Sequence, residues 1–177
     1  MDDLAARAKR PATALAGPYG HPLHPALVAL PIGAWISSLI FDIGSRVIDD
    51  GEFLVEGSRW LIAIGVLGAL VAAVFGFLDL LAIPRQTRAF GTALLHMSLN
   101  LAVVVAYVIN FLIRDPDDTA VPWAPLVLSL VTLAVLSASG WLGGRLAYRF
   151  GVRVAEETTQ AEGFRAAARA GTPVGGP

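Results

Sequence analysis

The sequence of 177 residues contains no cysteine, and only 15% of its residues are charged. Without thiols it has no disulfides, no thiolate metal ligands and no cysteine-ligated iron–sulfur clusters. A formal net charge of −1 offers no basic surface to a nucleic acid, so we expect no nucleic-acid partner. Hydrophobic residues, by contrast, make up 55% of the chain. Together with the scarcity of charge, this excludes an ordinary soluble domain.

Four long apolar runs account for that composition. A bilayer core about 30 Å thick needs roughly 20 mostly apolar residues per helix, and the runs have that length. They lie at about 25–43, 60–83, 92–113 and 124–148, and Gly, Pro and charged residues separate them. Strand-like alternation is absent, and lipid does not tolerate unpaired backbone groups. The sequence therefore predicts an all-α polytopic membrane protein, a bundle of four transmembrane helices.

The basic residues predict the orientation of this bundle. Ten of the thirteen lie before the first run, between the second and third, or from the last turn of the fourth run onward. The other two loops hold three basic residues among seven acidic ones. Because basic loops stay in the cytoplasm, both termini are predicted there, in a multi-pass protein of the cytoplasmic (inner) membrane. No cleavable signal peptide is evident at the N-terminus, so the first helix is expected to remain.

We divide the chain accordingly into three parts. Residues 1–22 are predicted to be a cytoplasmic N-terminal segment, residues 23–150 the membrane domain, and residues 151–177 a flexible cytoplasmic tail rich in Ala, Gly, Thr and Pro. No long internal repeat and no second soluble domain is evident.

A few ionisable residues interrupt the spans at one predicted depth, on the cytoplasmic side. They are His24, Asp79, His96 and Arg145, one from each helix. Ionisable groups inside a membrane are costly and therefore need a partner or a function. Asp79 is expected either to form an ion pair with Arg145 or to orient a histidine. These residues are the candidate functional site.

Periodicity places further polar residues on the faces of two helices. In the first helix, Trp35 and Asp42 follow His24 by 11 and 18 residues, which places all three on one face. In the third helix, His96 begins a similar polar stripe, which continues with Asn100, Tyr107, Asn110 and Arg114. We expect both faces to look into the bundle. Asp42 is expected to pair with Arg46 or Arg59.

The entry to the first helix has a restricted backbone. In His21-Pro22-Leu23-His24-Pro25, each residue before a proline is pushed away from helical geometry, while proline suits a first helical turn. The two histidines are thereby held close enough to share one site and to bind a metal or haem iron, or they are interfacial residues at a helix start. Pro31 is expected to bend the helix by leaving the Leu27 carbonyl without its donor.

Several blocks together resemble a known bacterial membrane family. GHPLHPALVALPIGAWISSLIFDIGS, FGFLDLLAIP, HMSLN and GWLGGRLAYRFGVRV look like the domain of unknown function 2231, across nearly the whole membrane region. Some relatives look fused to Rieske-type or other redox domains, so the resemblance implies a link to electron transfer. Its functional set would be His21, His24, Asp79, His96 and Asn100. Family members often have a histidine near the position that Phe150 holds here.

Three functions follow as hypotheses. The first is a redox module that binds haem b or a transition metal, with His24 and His96 as ligands, His21 as the alternative ligand, and Asp79, Asn100 and Arg145 around them. A metal without haem would use His21, His24, His96 and Asp79. The second is a non-catalytic scaffold, or an anchor for a redox partner protein, in which the polar cluster is structural. The third is a proton or small-solute pathway, which would require a homo-oligomer. No hydrolase motif is present, so we do not expect the chain to be an enzyme by itself.

Overall fold

The computed structural model describes residues 2–17 and 21–164, and within these ranges the ordered elements are helices, with no strand. The all-α prediction is thereby confirmed. The last thirteen residues of the predicted tail lie outside the described ranges. The helices are α1 Asp2–Lys9, α2 His24–Leu27, α3 Ala29–Gly44, α4 Glu52–Ala82, α5 Arg88–Leu112, α6 Trp123–Gly144 and α7 Glu157–Glu162, with a 3-10 turn at Ala14–Ala16 and a π-helical turn at Arg145–Arg149.

Four stretches are long and apolar enough to cross a bilayer: His24–Gly44, Glu52–Ala82, Arg88–Leu112 and Trp123–Arg149. The first of them is interrupted at Val28, between α2 and α3. Pro31 explains the break, because it has no N–H to donate to the carbonyl of Leu27.

The order of packing determines which helices face each other. Helix α3 packs on α4, α4 on α5, α5 on α6, and α6 on α3. Helices α3 and α5 therefore lie diagonally across the bundle. We call the end formed by His24, Ala82, Arg88 and Gly144 the terminal end, and the opposite end, with the connections after α3 and α5, the loop end.

Three pairs of side chains meet across this diagonal and fill the bundle axis in layers. At the terminal end two imidazoles face each other, in the middle two aromatic rings stack with centroids 4.2 Å apart, and at the loop end a carboxylate meets a guanidinium. The pairs are His24 with His96, Trp35 with Tyr107, and Asp42 with Arg114. The expectation that the polar faces of the first and third helices look into the bundle agrees with this arrangement.

The two members of each pair are separated by the same 72 positions. The hairpin of α2, α3 and α4 and the hairpin of α5 and α6 thus place matching residues at matching depths, and the bundle axis behaves as a pseudo-twofold axis. No long internal repeat is evident in the sequence, because few residues are identical between the two halves. The correspondence between the halves is visible only in the three pairs of positions that are 72 residues apart.

The loop end is closed by a buried polar network that joins all four spans. Arg114 makes a two-pronged ion pair with Asp42, with both N–O distances 2.7 Å and side-chain exposures of 1% and 0%. Its Nε donates to Asn110, and Ser58 and Ser129 also hydrogen-bond within the cluster. The predicted partners of Asp42, Arg46 and Arg59, were wrong. They lie over the aromatic rings of Trp123 and Phe111 instead.

The N-terminal segment covers part of the terminal end. Ala8 and Ala16 are buried, and Ala8 belongs to an apolar cluster with residues from α4, α5 and the end of the fourth span. Val152 is buried in the same cluster, and the Arg153 side chain is only 5% exposed. The packed part of the chain therefore extends beyond residue 150.

Exposed tryptophans mark the two interfaces of the membrane. Helix α6 carries Trp123 and Trp141 near its ends, both about two-thirds exposed. Their separation along the helix is about 27 Å at 1.5 Å per residue, close to the thickness of a bilayer core. Trp60 is similarly exposed near the loop end of α4. Aromatic rings at these two levels are typical of membrane–water interfaces.

The indole of Trp35 lies directly over Gly65 of α4, where a Cβ would collide with the ring. We expect Gly65→Ala to lower the free energy of unfolding by about 1–3 kcal/mol, the usual cost of overpacking a core. Gly33→Ala is the matched control, because its Cβ would meet no atom within 4 Å. Thermal unfolding in dodecyl maltoside, followed by circular dichroism, measures both. Equal midpoints for the two variants would contradict the prediction.

Candidate functional site

The two imidazoles at the terminal end form the centre of the candidate site. The ring centroids of His24 and His96 are 6.3 Å apart, and the ring planes are at 86° to each other. Both side chains are half-buried. This geometry agrees with the prediction from the sequence that the two histidines lie at the same depth in the bundle.

Each histidine is held by a backbone carbonyl of a neighbouring span. Nδ1 of His24 lies 2.9 Å from the carbonyl oxygen of Ala72, and Nδ1 of His96 lies 2.8 Å from that of Ser139. A carbonyl oxygen can only accept, so Nδ1 carries the proton in both rings. In a neutral imidazole the other nitrogen, Nε2, then has the free lone pair.

A glycine makes room for each ring, in the same relation to the bonded carbonyl. Gly76 is four residues after Ala72, and a Cβ there would lie 2.9 Å from Cε1 of His24. Gly143 is four residues after Ser139, and a Cβ there would lie 3.2 Å from Cε1 of His96. In each half of the bundle, the histidine thus binds a backbone carbonyl and packs on the glycine four residues after it.

Asn100 and the hydroxyl of Ser139 fix the surroundings of His96. The Asn100 amide donates to the carbonyl of His96 at 2.8 Å and to the Ser139 hydroxyl at 2.7 Å. That hydroxyl lies 3.0 Å from Nδ1 of the imidazole. The amide nitrogen is 3.3 Å from each ring nitrogen, which is long for a hydrogen bond. Asn100 therefore positions the helix and the serine around the ring.

Asp79 lies in the last turn of α4, at the same end of the bundle as the two histidines. Its carboxylate lies 2.9 Å from Nε of Arg153. The predicted ion pair between Asp79 and Arg145 was therefore wrong. Arg145 lies at the start of the π-helical turn, where its guanidinium is within 6 Å of the rings of Trp141 and Phe150. The sequence did not predict this pair, because Arg153 lies in the predicted tail after the fourth span.

Arg153 also ties the N-terminal segment to this cluster. Its backbone N–H donates to the carbonyl of Ala8, and its guanidinium donates to the carbonyl of Ala16. The residue adopts a left-handed backbone conformation, with φ of 59°, in the turn after the fourth span. This conformation aims the side chain back at Asp79.

The remaining predicted ligand, His21, lies before α2 and is exposed. Among residues 2–17 and 21–164, no three His, Cys, Asp or Glu side chains are grouped so that they could hold a metal ion. The set of His21, His24, His96 and Asp79 that was considered for a metal without haem is therefore not assembled. Two imidazoles alone face each other.

The comparisons with known proteins gave one match. The family model described as "Predicted membrane protein (DUF2231)" matches residues 20–156. No curated protein and no solved structure is detectably similar to the chain. The matched range covers the four spans and ends beyond Arg153.

Proposed function

The chain belongs to the DUF2231 family of predicted membrane proteins, and we propose that it is an electron-transfer module in which His24 and His96 would hold one haem b. The facing pair of imidazoles carries this proposal. Two imidazoles that bind one metal ion from opposite sides, with bonds of about 2.0–2.1 Å, have ring centres roughly 6 Å apart. The observed separation of 6.3 Å has this value.

The ligand set favours haem over a metal bound by side chains alone. Zinc sites in proteins use three or four protein ligands, and the pair supplies two. A porphyrin brings four nitrogens of its own, so two imidazoles complete the coordination. When bound, haem would supply a one-electron redox couple.

The hydrogen bonds around the rings suit ligating histidines. A ligating imidazole usually donates its other N–H to a carbonyl or carboxylate, which fixes the tautomer and orients the ring. Ala72 and Ser139 accept in this way from the two Nδ1 atoms. Gly76 and Gly143 allow the rings to lie close to the backbone of α4 and α6.

An apolar groove between two of the spans reaches the residue next to Ser139. It has a volume of about 360 Å³ and lies between α3 and α6. Its lining includes Gly140, which directly follows Ser139, and a Cβ on this glycine would meet no atom within 4 Å. A porphyrin is wider than an imidazole ring, so its edge would extend beyond the two histidines and would need such a groove.

The site lies close to the terminal-end interface, since Gly143, which packs on His96, is two residues from the exposed Trp141. The excess of basic residues in the segments at this end supports our proposal that the site faces the cytoplasm. A redox partner protein at that surface would exchange electrons with the haem. The stacked Trp35 and Tyr107 are buried, and with the Asp42 network they fill the axis beyond the histidines. This favours a closed site over a pathway for protons or solutes.

An absorption spectrum tests the proposal. Protein expressed with ample haem supply and purified in dodecyl maltoside is expected to show a Soret band, reduced-state bands that appear with dithionite, and one haem per chain. His24→Ala and His96→Ala are each expected to lose the haem. His21→Ala is the matched control and should keep it.

The scaffold hypothesis makes a different prediction for the same proteins. If the histidines only join helices, the wild type lacks the Soret band and the two alanine variants unfold at lower temperature without any spectral change. Wild-type protein without stoichiometric haem would therefore overturn the haem proposal.

A further inference from the structure

A second recess lies at the terminal end of the bundle, beside the last turn of α4. It has a volume of about 310 Å³ and is formed by the N-terminal segment and the last turn of α4. Arg7, Arg10, Pro11 and Ala12 line it on one side, and Leu81 and Ala82 on the other.

The N-terminal segment that forms one wall of the recess is anchored to the bundle by buried residues and hydrogen bonds. Ala8, which lies between the two arginines, and Ala16, which follows the lining residues, are 6% and 0% exposed. Arg153 binds the carbonyls of both alanines. The two arginines of the recess are therefore held at the end of α4.

The charge of the recess is positive and largely uncompensated. Arg7 is exposed and makes no ion pair with the residues that the structure describes. Arg10 lies 3.6 Å from Glu156, but the two side chains are 76% and 47% exposed. An ion pair so open to water contributes little and is readily exchanged for a better partner.

The other wall of the recess continues into the lipid-facing surface. Leu81 is 52% exposed, and Phe77, one turn earlier on the same face of α4, is equally exposed. Both lie within the span Glu52–Ala82. An apolar stripe thus runs from the two arginines into the bilayer.

We propose that this recess binds an anionic phospholipid, with its phosphate between Arg7 and Arg10 and an acyl chain along Leu81 and Phe77. Guanidinium groups bind phosphate through paired, charge-assisted hydrogen bonds. Basic recesses at the ends of transmembrane helices recognise anionic headgroups. A zwitterionic lipid lacks the net negative charge, and a free phosphate ion makes no use of the apolar stripe. The site is independent of the haem proposal.

The experiment compares lipids and matched variants of the full chain. Protein in dodecyl maltoside is titrated with dioleoylphosphatidylglycerol or dioleoylphosphatidylcholine, and the thermal unfolding midpoint and the lipids retained in native mass spectrometry are measured. Arg7→Gln/Arg10→Gln is expected to weaken half-saturation by phosphatidylglycerol roughly 30-fold, as two surface arginines contribute near a membrane.

Arg85→Gln/Arg88→Gln is the matched control, because both arginines are exposed at the same end and the charge change is equal. It is expected to bind phosphatidylglycerol as the wild type does. Leu81→Gln should weaken phosphatidylglycerol binding by disturbing the stripe while leaving the arginines in place.

Three results would overturn the proposal. Equal weakening in both double variants would indicate general attraction to the basic end. Equal stabilisation by phosphatidylcholine would remove the role of charge. Equal stabilisation by inorganic phosphate at the same concentration would mean that the recess binds an anion without its lipid.

Discussion

Replacing Arg114 with methionine is expected to lower the free energy of unfolding by about 3–5 kcal/mol. The change leaves Asp42, whose side chain is 0% exposed, as an unpaired charge inside the bundle. Removing one partner of a buried ion pair typically has this cost, because the remaining charge has neither water nor a counter-charge. Asn110, which donates to Pro125 and Ser129 and accepts from Arg114, loses one of its partners as well.

The double variant Asp42→Leu/Arg114→Met separates the cost of the stranded charge from the value of the pair. Apolar replacement of a buried pair is often neutral or stabilising, so most of the lost stability is expected to return. Arg88→Met is the control for loss of a cation, because this residue is exposed at the start of α5. Thermal and denaturant unfolding in dodecyl maltoside measure all three. A double variant no more stable than Arg114→Met would contradict the account.

The four spans were predictable because hydropathy alone determines them. A long apolar run has no alternative to a helix in lipid, and the predicted positions agree with the helices to within a few residues at most ends. Helix α4 is the exception, since it begins at Glu52 rather than Trp60. Its first two turns carry Glu52, Glu56 and Arg59 and so contribute no hydropathy signal. Trp60 marks the interface, and the helix simply continues past it.

The partners of the buried charges were not predictable from distance along the chain. Asp42 was expected to pair with a nearby arginine, yet its partner is 72 positions away. The signal was present in the two helical faces. Asp42 follows its histidine by 18 residues, and Arg114 follows the other histidine by 18. Equal offsets from two facing histidines place the two charges at one depth, where they neutralise each other.

The glycines show a similar limit. From the sequence alone, Gly76 and Gly143 are small residues of the kind that allow close packing of helices in membranes. In the structure each receives a histidine ring instead. Only the three-dimensional arrangement shows this, because the ring and the glycine come from different spans. The relation between a bonded carbonyl and a glycine four residues later can, however, be searched for in related sequences.

The two halves of the bundle are matched in a way that bears on the function. Both histidines donate from Nδ1 to a carbonyl, and both rest on a glycine. A purely structural lock needs no such symmetry, as the Asp42 and Arg114 pair illustrates with two different residue types at equivalent positions. A carbonyl acceptor and a glycine beside each ring are the arrangement expected if the two histidines hold the proposed haem together.

Replacing one histidine with methionine tests whether that histidine binds the haem iron or only packs against its neighbours. His96→Met is expected to keep the haem with mixed histidine and methionine ligation and to raise its reduction potential by on the order of 100 mV, because a thioether favours the reduced iron. His24→Met should act in the same direction, since its ring is held by a backbone carbonyl and packs on a glycine in the same way. Spectroelectrochemical titration of the purified proteins measures the shift. His21→Met is the control and should leave the potential unchanged. A potential in His96→Met equal to that of the wild type would mean that this residue is not bound to the iron, whatever its effect on stability.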